Sequence, residues 1–462
     1  MNGLVAALGH GIDALSANVF AKVSLFGVEV EGIVLWLAVP MLFFTAWLGF
    51  LNLTKLPLAL RIVRGDFRDK SAPGEVSQFQ ALSTALSGTV GLGNIAGVGV
   101  AITTGGPGAA FWMFVIGWFA MSLKCAEVTL GLKYRVTNMD GTVSGGPMYT
   151  LEHGLARRGL PRSGKLLGVL YAIFALGGAI PLLQVNQSFA QVSAVTGFDN
   201  GLAYGIIMAI TVAVVVVGSV RWLGATTSRL VPAMCVVYLG GCLLVLATHA
   251  GAIPGALAAI VTEAFNPTAV AGGALGAFVI GMRRAVYSSE AGIGSAVIAH
   301  SAAKTAEPAS EGLVALLEPF IDTVIVCSIT ALTIVVAGSY LQPGVTGVGV
   351  ISAAFAQVSP GFPIVLAVAV YLFAYSTLVS WGYYGTQAWG YLFGRSRVSI
   401  GFYKVFYCAI LPLGSVLDLG KVVDLVDSLF FLMAVPNILG LYILAGDVRA
   451  EMRGYLARIS GK

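Results

Sequence analysis

The sequence predicts an all-α polytopic membrane protein with eleven transmembrane helices, and three observations carry that prediction. The 462 residues are 57% hydrophobic and 10% charged, with a mean hydropathy of +0.89. Soluble globular chains carry about 25% charged residues, so this composition belongs to a bilayer. Apolar stretches of roughly 20 residues recur along the whole length, each able to cross a hydrocarbon core of about 30 Å. The basic residues, finally, sort onto one side of those stretches, as the positive-inside rule requires.

In chain order the expected spans are residues 31–54, 79–104, 106–133, 165–197, 202–220, 226–248, 268–298, 311–337, 363–392, 400–416 and 421–445. Threading them with the N-terminus outside puts Lys55, Arg61, Arg64, Arg68 and Lys70 in the first inner loop. Lys133, Arg135, Arg157, Arg158, Arg162 and Lys165 fall in the next, and Arg449, Arg453, Arg458 and Lys462 in the tail. The long loops 249–266 and 338–362 hold no Lys or Arg, and only Lys22 and Lys421 of 26 basic residues land outside. The net charge of +5 therefore sets topology and implies no nucleic-acid partner. The reading is a multi-pass protein of an inner (plasma) membrane, N-terminus outside and C-terminus cytoplasmic.

Residues 1–30 are expected as an N-terminal outer-surface segment, an amphipathic helix with Asp13, Lys22 and Glu29 in water. No positive charge precedes Lys22, which does not support a cleavable signal peptide. Residues 31–445 form a single transmembrane domain, and 446–462 a cytoplasmic tail. The inner loop 134–164 is the longest polar insertion and reads as turn-rich surface. Cys125, Cys235, Cys242, Cys327 and Cys408 all lie in apolar spans without a C-x-x-C pair, as small packing residues. His10, His153, His249 and His300 never cluster, so no transition-metal site is expected. No convergent acid/base, nucleophile or metal set appears, and an enzyme is not expected.

Two spans are interrupted. The second carries TALSGTVGLGNIAGVGVAITTGG at residues 84–106, and the seventh carries GAFVIGMRRAVYSSEAGIGSAVIAH. They are five spans apart, which divides the chain into one preceding helix and two sets of five, about 79–248 and 268–445. Paired interrupted helices at corresponding positions are the sequence signature of an inverted-repeat secondary transporter. An odd number of spans per set forces the two sets into opposite orientations.

The centre of the second span, G-L-G-N-I-A at Gly91 to Ala96, also fits a dinucleotide-binding turn. That motif needs a preceding strand and an acidic residue about 20 positions on. Here the flanks are helix-length, and the next acidic residue after Asn94 is Glu127, beyond another apolar span. Within a membrane the glycines have two readings. Gly88, Gly97 and Gly99 suit close helix packing, whereas Gly91, Gly93 and Asn94 suit a local unwinding. Unwound backbone is tolerated at this depth only where it is buried in protein or lines a cavity, where it can bind a carboxylate or a cation.

These stretches carry a resemblance. ALSGTVGLGNIAGVGVAITTGGPGAAFWMF, KCAEVTLGLKYR, SGGPMY, SSEAGIGSAVIAH, FNPTA, DTVIVCSITAL and STLVSWGYYG, in this order, resemble the alanine or glycine:cation symporter family over about residues 31–445. The resemblance implies a leucine-transporter-like fold, one helix before a five-plus-five inverted repeat, and sodium-coupled uptake of alanine or glycine. It assigns Gly91, Gly93 and Asn94 to the substrate carboxylate, with Gln184, Thr377, Trp381, Ser288 and Ser289 around the same site. By analogy with the fold, sodium would take carbonyls near Ser87 to Val90 and hydroxyls of Ser376, Thr377 or Ser380. Leu92 stands where the family usually has Thr, Ser289 where it usually has Asn, and IPLL where a Gly-Asn-Met run is usual.

Some of these residues keep a second reading. Gln184 suits the cavity or a hydrogen bond between helices. Trp381 shares a face with Thr377, four residues back, and suits a pocket wall or an interface anchor. Charges inside spans are functional candidates, because burying them unpaired costs several kcal/mol. Glu290 is expected to pair with Arg283 or Arg284 and hold the seventh-span break open, or else to contact substrate or cation. Lys124 and Glu127, at i and i+3, suit a surface pair. Asp322 suits a buried anchor or a proton path. The whole predicts a symporter coupling inward sodium or proton movement to small-amino-acid uptake by alternating access, with no cofactor beyond the coupling ion. A channel of similar helical make-up is the alternative.

Overall fold

Glycine and proline punctuate the chain into helices, and the computed structural model describes residues 2–460 except 26, 27, 68, 70, 139, 140, 181, 267–272 and 417–419. Arg68, Lys70, Lys462, the start of the seventh expected span and the last three residues of FNPTA lie outside the described residues. Helix α1 (Asn2–Val19) precedes a short antiparallel hairpin, β1 (Lys22–Leu25) and β2 (Val28–Glu31). The hairpin corrects the wholly helical expectation for residues 1–30. It places alternating side chains on opposite faces, so Lys22 reaches Glu29 across the strands at 2.8 Å.

The first span is α2 (Gly32–Trp47), followed by α3 (Leu51–Thr54) and the amphipathic α4 (Leu56–Arg64). Helix α5 (Gln78–Thr89) opens with a capping box in which Ser77 Oγ accepts from Gln80 N and Gln80 Oε1 accepts from Ser77 N. It stops at Val90, and α6 (Ala96–Gly105) resumes after a 3-10 turn over Leu92–Asn94. The two arms meet at 62°, so the glycine run does break the second span.

Helix α7 (Gly108–Lys133) runs unbroken. Beyond it, α8 (Pro147–Arg157) buries Met148, Leu151 and Leu155, so the loop 134–164 is partly built into the protein rather than lying on its surface. Next come α9 (Pro161–Gly178), α10 (Leu182–Thr196), α11 (Gly201–Val216), α12 (Val220–Thr248) and α13 (Ile253–Glu263). The seventh interval contains α14 (Gly273–Ser289) and α15 (Ser295–His300). Between them Glu290, Gly292 and Gly294 have φ of 49°, 93° and 83°. Glycine takes that region freely, whereas Glu290 is strained there by about 1–2 kcal/mol.

Helices α16 (Pro308–Ala315) and α17 (Leu317–Pro319), a π-wound stretch at Phe320–Cys327 and α18 (Ser328–Ala337) make one 30-residue rod. After α19 (Val348–Ala356), α20 (Pro363–Phe393) is the longest helix described. The chain finishes with α21 (Arg397–Ile410), α22 (Gly420–Leu432), α23 (Ala434–Ile443) and α24 (Ala445–Ser460).

Every expected span contains helix. Among the described residues seven rods are long and apolar enough to cross a membrane alone, and the bent α5–α6 pair makes an eighth. Helices α2 and α11 are apolar but shorter, at 16 residues each. Helices α7 and α14 pack together on one side of the broken second span, and α20 packs against α5, α9, α10 and α12 on the other. The two breaks therefore face one another in the middle of the protein.

Candidate functional site

Asn94, in the turn between α5 and α6, joins the breaks. Its side chain is fully buried. Oδ1 accepts from Gly91 N at 3.0 Å, closing the turn, while Nδ2 donates to Ser288 Oγ at 3.0 Å and to the Asp322 carboxylate at 2.5 Å. Asp322 also accepts from Ser288 Oγ at 2.6 Å and Thr323 Oγ1 at 2.8 Å. A buried carboxylate costs several kcal/mol unless donors surround it, and here three side chains do. The π-wound stretch carries Asp322, Thr323 and Cys327, and all three reach Ser288 at the end of α14. Such widened turns recur at functional sites. Asp322 thus ties three elements together, as its anchor reading expects.

A cavity of about 440 Å³ opens beside this knot. Gly91, Leu92 and Gly93 line it from the unwound turn, with Gln184 from α10 and Thr377 and Trp381 from α20. Gln184 lines the cavity, and its Oε1 accepts from Leu92 N at 3.4 Å, so both of its readings are compatible with the geometry. A methyl group on Gly91 would sit 2.8 Å from Thr377 Oγ1, so only glycine permits this approach. Thr377 Oγ1 is buried without a hydrogen-bond partner among the described residues. Gly93 is exposed to the cavity, and no bond between elements takes up its N–H or the carbonyls of Thr89 and Val90 among the described residues. Trp381 is 3% exposed, packed edge-on to Tyr384 and tilted over Phe430, which makes it a wall and not an interface anchor.

Asn94, Ser288 and Ser289 do not line the cavity. Their polar groups are spent on the knot, and Ser289 Oγ accepts from Ala291 N within the seventh-span break. The hydroxyls of Ser376 and Ser380 face the carbonyl side of α5, as expected of a cation shell, but they are engaged there. Ser87 Oγ donates to Ser376 O at 2.7 Å and Ser376 Oγ returns a bond to Ser87 O at 3.3 Å. Ser380 Oγ and the Tyr384 hydroxyl both donate to Thr84 O, at 2.9 and 3.3 Å. Together they zip α5 to α20 below the cavity. Val90 is fully buried above the zip.

Two charge pairings differ from expectation. Arg283 pairs with Glu31 at 2.9 Å, not with Glu290, whose carboxylate accepts from Ser295 Oγ across the break. Glu290, Arg283 and Arg284 nevertheless all line the central cavity, so the other reading of Glu290, contact with substrate or cation, keeps its geometric support. Lys124 pairs with Glu318 at 3.0 Å, both fully buried, while Glu127 accepts from Asn437 at 2.6 Å. A short chain of buried polar groups extends from there. His300 Nδ1 lies 2.7 Å from Glu311, which accepts from Gln78 Nε2 at 2.9 Å. Sequence reasoning missed this network, and its signal was ionisable residues inside two neighbouring spans.

At the end remote from the cavity, Arg135 donates to four carbonyls, those of Pro73, Ser301, Ala303 and Thr305, at 2.6–2.9 Å. It clamps the leader of α5 to the end of α15. The two ends of the paired breaks thus differ: the cavity lies at one and the Arg135 clamp closes the backbone at the other.

Two opposed broken helices around a central cavity define a secondary transporter of the leucine-transporter-like fold. A solved structure of MhsT in complex with L-phenylalanine shares the fold, with a TM-score of 0.56 at 17% identity over 82% of this chain and 93% of that one. The chain belongs to the sodium:alanine symporter family, whose family model matches residues 13–462. It is 39% identical over 421 residues to the sodium/alanine symporter AgcS of Methanococcus maripaludis, covering 90% of this chain and 92% of that protein. It is also 32% identical to the amino-acid carrier protein AlsT of Bacillus subtilis, over 90% and 87% of the two chains. The probable sodium/glutamine symporter GlnT of the same organism is 31% identical, over 90% and 85%. The protein is a multi-pass membrane transporter, neither a channel nor an enzyme.

Proposed function

We propose that the protein imports small neutral amino acids, alanine and glycine foremost, together with sodium, across an inner (plasma) membrane with its N-terminus outside. The observation that carries this reading is the unwound turn at Gly91–Gly93 facing the unpartnered hydroxyl of Thr377 in a cavity walled by Trp381. Exposed N–H groups at the start of a helical arm favour an anion, so the substrate carboxylate lies on the Gly93 N–H and the Thr377 hydroxyl. Asn94 then holds the turn from behind. Gln184 completes the polar side, and Trp381 walls the cavity beside Thr377.

Sodium prefers oxygen ligands and is the coupling ion in this reading. The carbonyls of Thr89 and Val90 and the hydroxyl of Thr377 supply a partial shell, which the carboxylate of the substrate completes. Transport follows alternating access: the zip between α5 and α20 and the Arg135 clamp keep the cytoplasmic end shut, and both part as the broken arms rock. The test is uptake of labelled alanine and glycine by proteoliposomes under an imposed sodium gradient. Accumulation that collapses when sodium is equalised supports the reading; accumulation indifferent to the sodium gradient overturns it.

A further inference from the structure

A second cavity, of about 570 Å³, lies across α20 from the first. Thr377 and Trp381 line the first cavity, Val379 and Tyr383 the second. An offset of two residues turns a helix by about 200°, so the two cavities use opposite faces of one helix. The ends of α11 and α12 and one side of α21 complete its apolar wall. Its charged groups are Glu75, Arg395 and Lys404.

The state of those charges shows which of them are left for a ligand. Lys404 Nζ donates to the carbonyls of Val217 and Gly218 at the end of α11, at 3.2 and 3.0 Å, and is committed there. Among the described residues Arg395 donates to the neutral Gln387 side chain, at 2.8 Å, and Glu75 accepts from the Val143 N–H at 3.2 Å. Neither Glu75 nor Arg395 has an ion-pair partner among the described residues. One carboxylate and one guanidinium thus share a cavity without neutralising each other, and a zwitterion supplies the missing partner to both.

Position gives this a role. Glu75 lies three residues before α5, next to the Arg135-clamped segment, and so moves with the arm whose zip to α20 separates the two cavities. Ser380 and Tyr384, which make that zip, sit between the residues lining the two sides of α20. Parting it joins the cavities.

We propose that the second cavity is a release station for the transported amino acid, with Glu75 receiving the ammonium group and Arg395 the carboxylate as the substrate leaves the central site. The inference rests on the transport reading above.

The test uses full-length protein in proteoliposomes of one orientation, with alanine as the probe and Glu75→Gln, Arg395→Gln and Arg395→Lys as variants. Three quantities are read: equilibrium binding to purified protein, external KM, and the cytoplasmic-side half-saturation concentration in exchange. Glu75→Gln and Arg395→Gln are expected to raise the cytoplasmic constant about fivefold, the scale of one charge-assisted contact. Binding and external KM stay within about twofold, and Arg395→Lys, which keeps the charge, shows the smaller change. Unchanged cytoplasmic constants in both neutral variants overturn the proposal, as does an equal shift on both sides. A variant that loses both equilibrium binding and its thermal unfolding transition has lost its fold, and the paired exchange Glu75→Arg with Arg395→Glu then decides: recovery of the cytoplasmic constant supports the station and continued loss overturns it. Failure of the transport reading itself shows separately, as wild-type protein that neither binds nor moves alanine.

Discussion

Asn94 illustrates how one side chain can govern a site it does not touch. Its amide closes the Gly91 turn on one side and holds Asp322 and Ser288 on the other. Asn94→Ala is therefore expected to lower alanine binding at least tenfold by releasing the turn. It should also reduce stability by about 1–3 kcal/mol, because the Asp322 carboxylate loses a donor. Titration calorimetry and thermal unfolding in detergent check the two halves, and unaltered binding would show that the turn needs no support. Gly91→Ala is expected to abolish binding with little loss of stability, since the added methyl meets Thr377 Oγ1 and not the packed interior. The importance of Asn94 was legible in the sequence; its direction was not. A glycine-flanked asparagine announces an unwound turn, but the partner that claims its amide sits 228 residues away on another rod.

At the scale of elements, the breaks were readable because glycine and hydroxyl runs are out of place in an apolar helix. The pairing between helices was not. Lys124 and Glu127 satisfy the i, i+3 spacing of a helix-surface pair, yet burial against the α16–α18 rod gives Lys124 to Glu318. Removing one member strands the other, so Lys124→Met is expected to cost about 3–5 kcal/mol. The double variant Lys124→Met with Glu318→Met should recover most of that loss, and a double-mutant cycle on unfolding midpoints checks it. The zip between α5 and α20 invites a functional counterpart. Tyr384→Phe removes one of its bonds without a change of volume. It is expected to shift the resting population toward the state open at the cytoplasmic end, read as a broadened spin-label distance between the leader of α5 and α20.

The whole molecule is one chain of helices around two facing breaks, and the leucine-transporter-like class of that architecture was legible. Composition gave the bilayer, glycine runs gave the interruptions, and their separation by five spans gave the two halves. What escaped was structure whose signal is local and weak: the hairpin at Lys22–Glu31, the buried face of α8, and helices α13 and α19 inside segments read as loops. The hairpin matters because Glu31 ties Arg283 beside the cavity. Coupling between ion and substrate belongs to this scale too. Replacing sodium with choline is expected to weaken alanine binding by about tenfold or more, within the usual range of linked sites, because both ligands order the same turn. Calorimetric titrations in the two salts measure it.

The Arg135 clamp sets a requirement on that coupling. All four of its acceptors are backbone carbonyls outside the central cavity, so the clamp holds a laden carrier and an empty one with the same strength. It is blind to cargo. Protection against a futile sodium leak must therefore come from the Gly91–Gly93 turn, where the ion and the amino acid would meet, and the tightness of the stoichiometry is decided over a few ångströms there while the gate merely obeys.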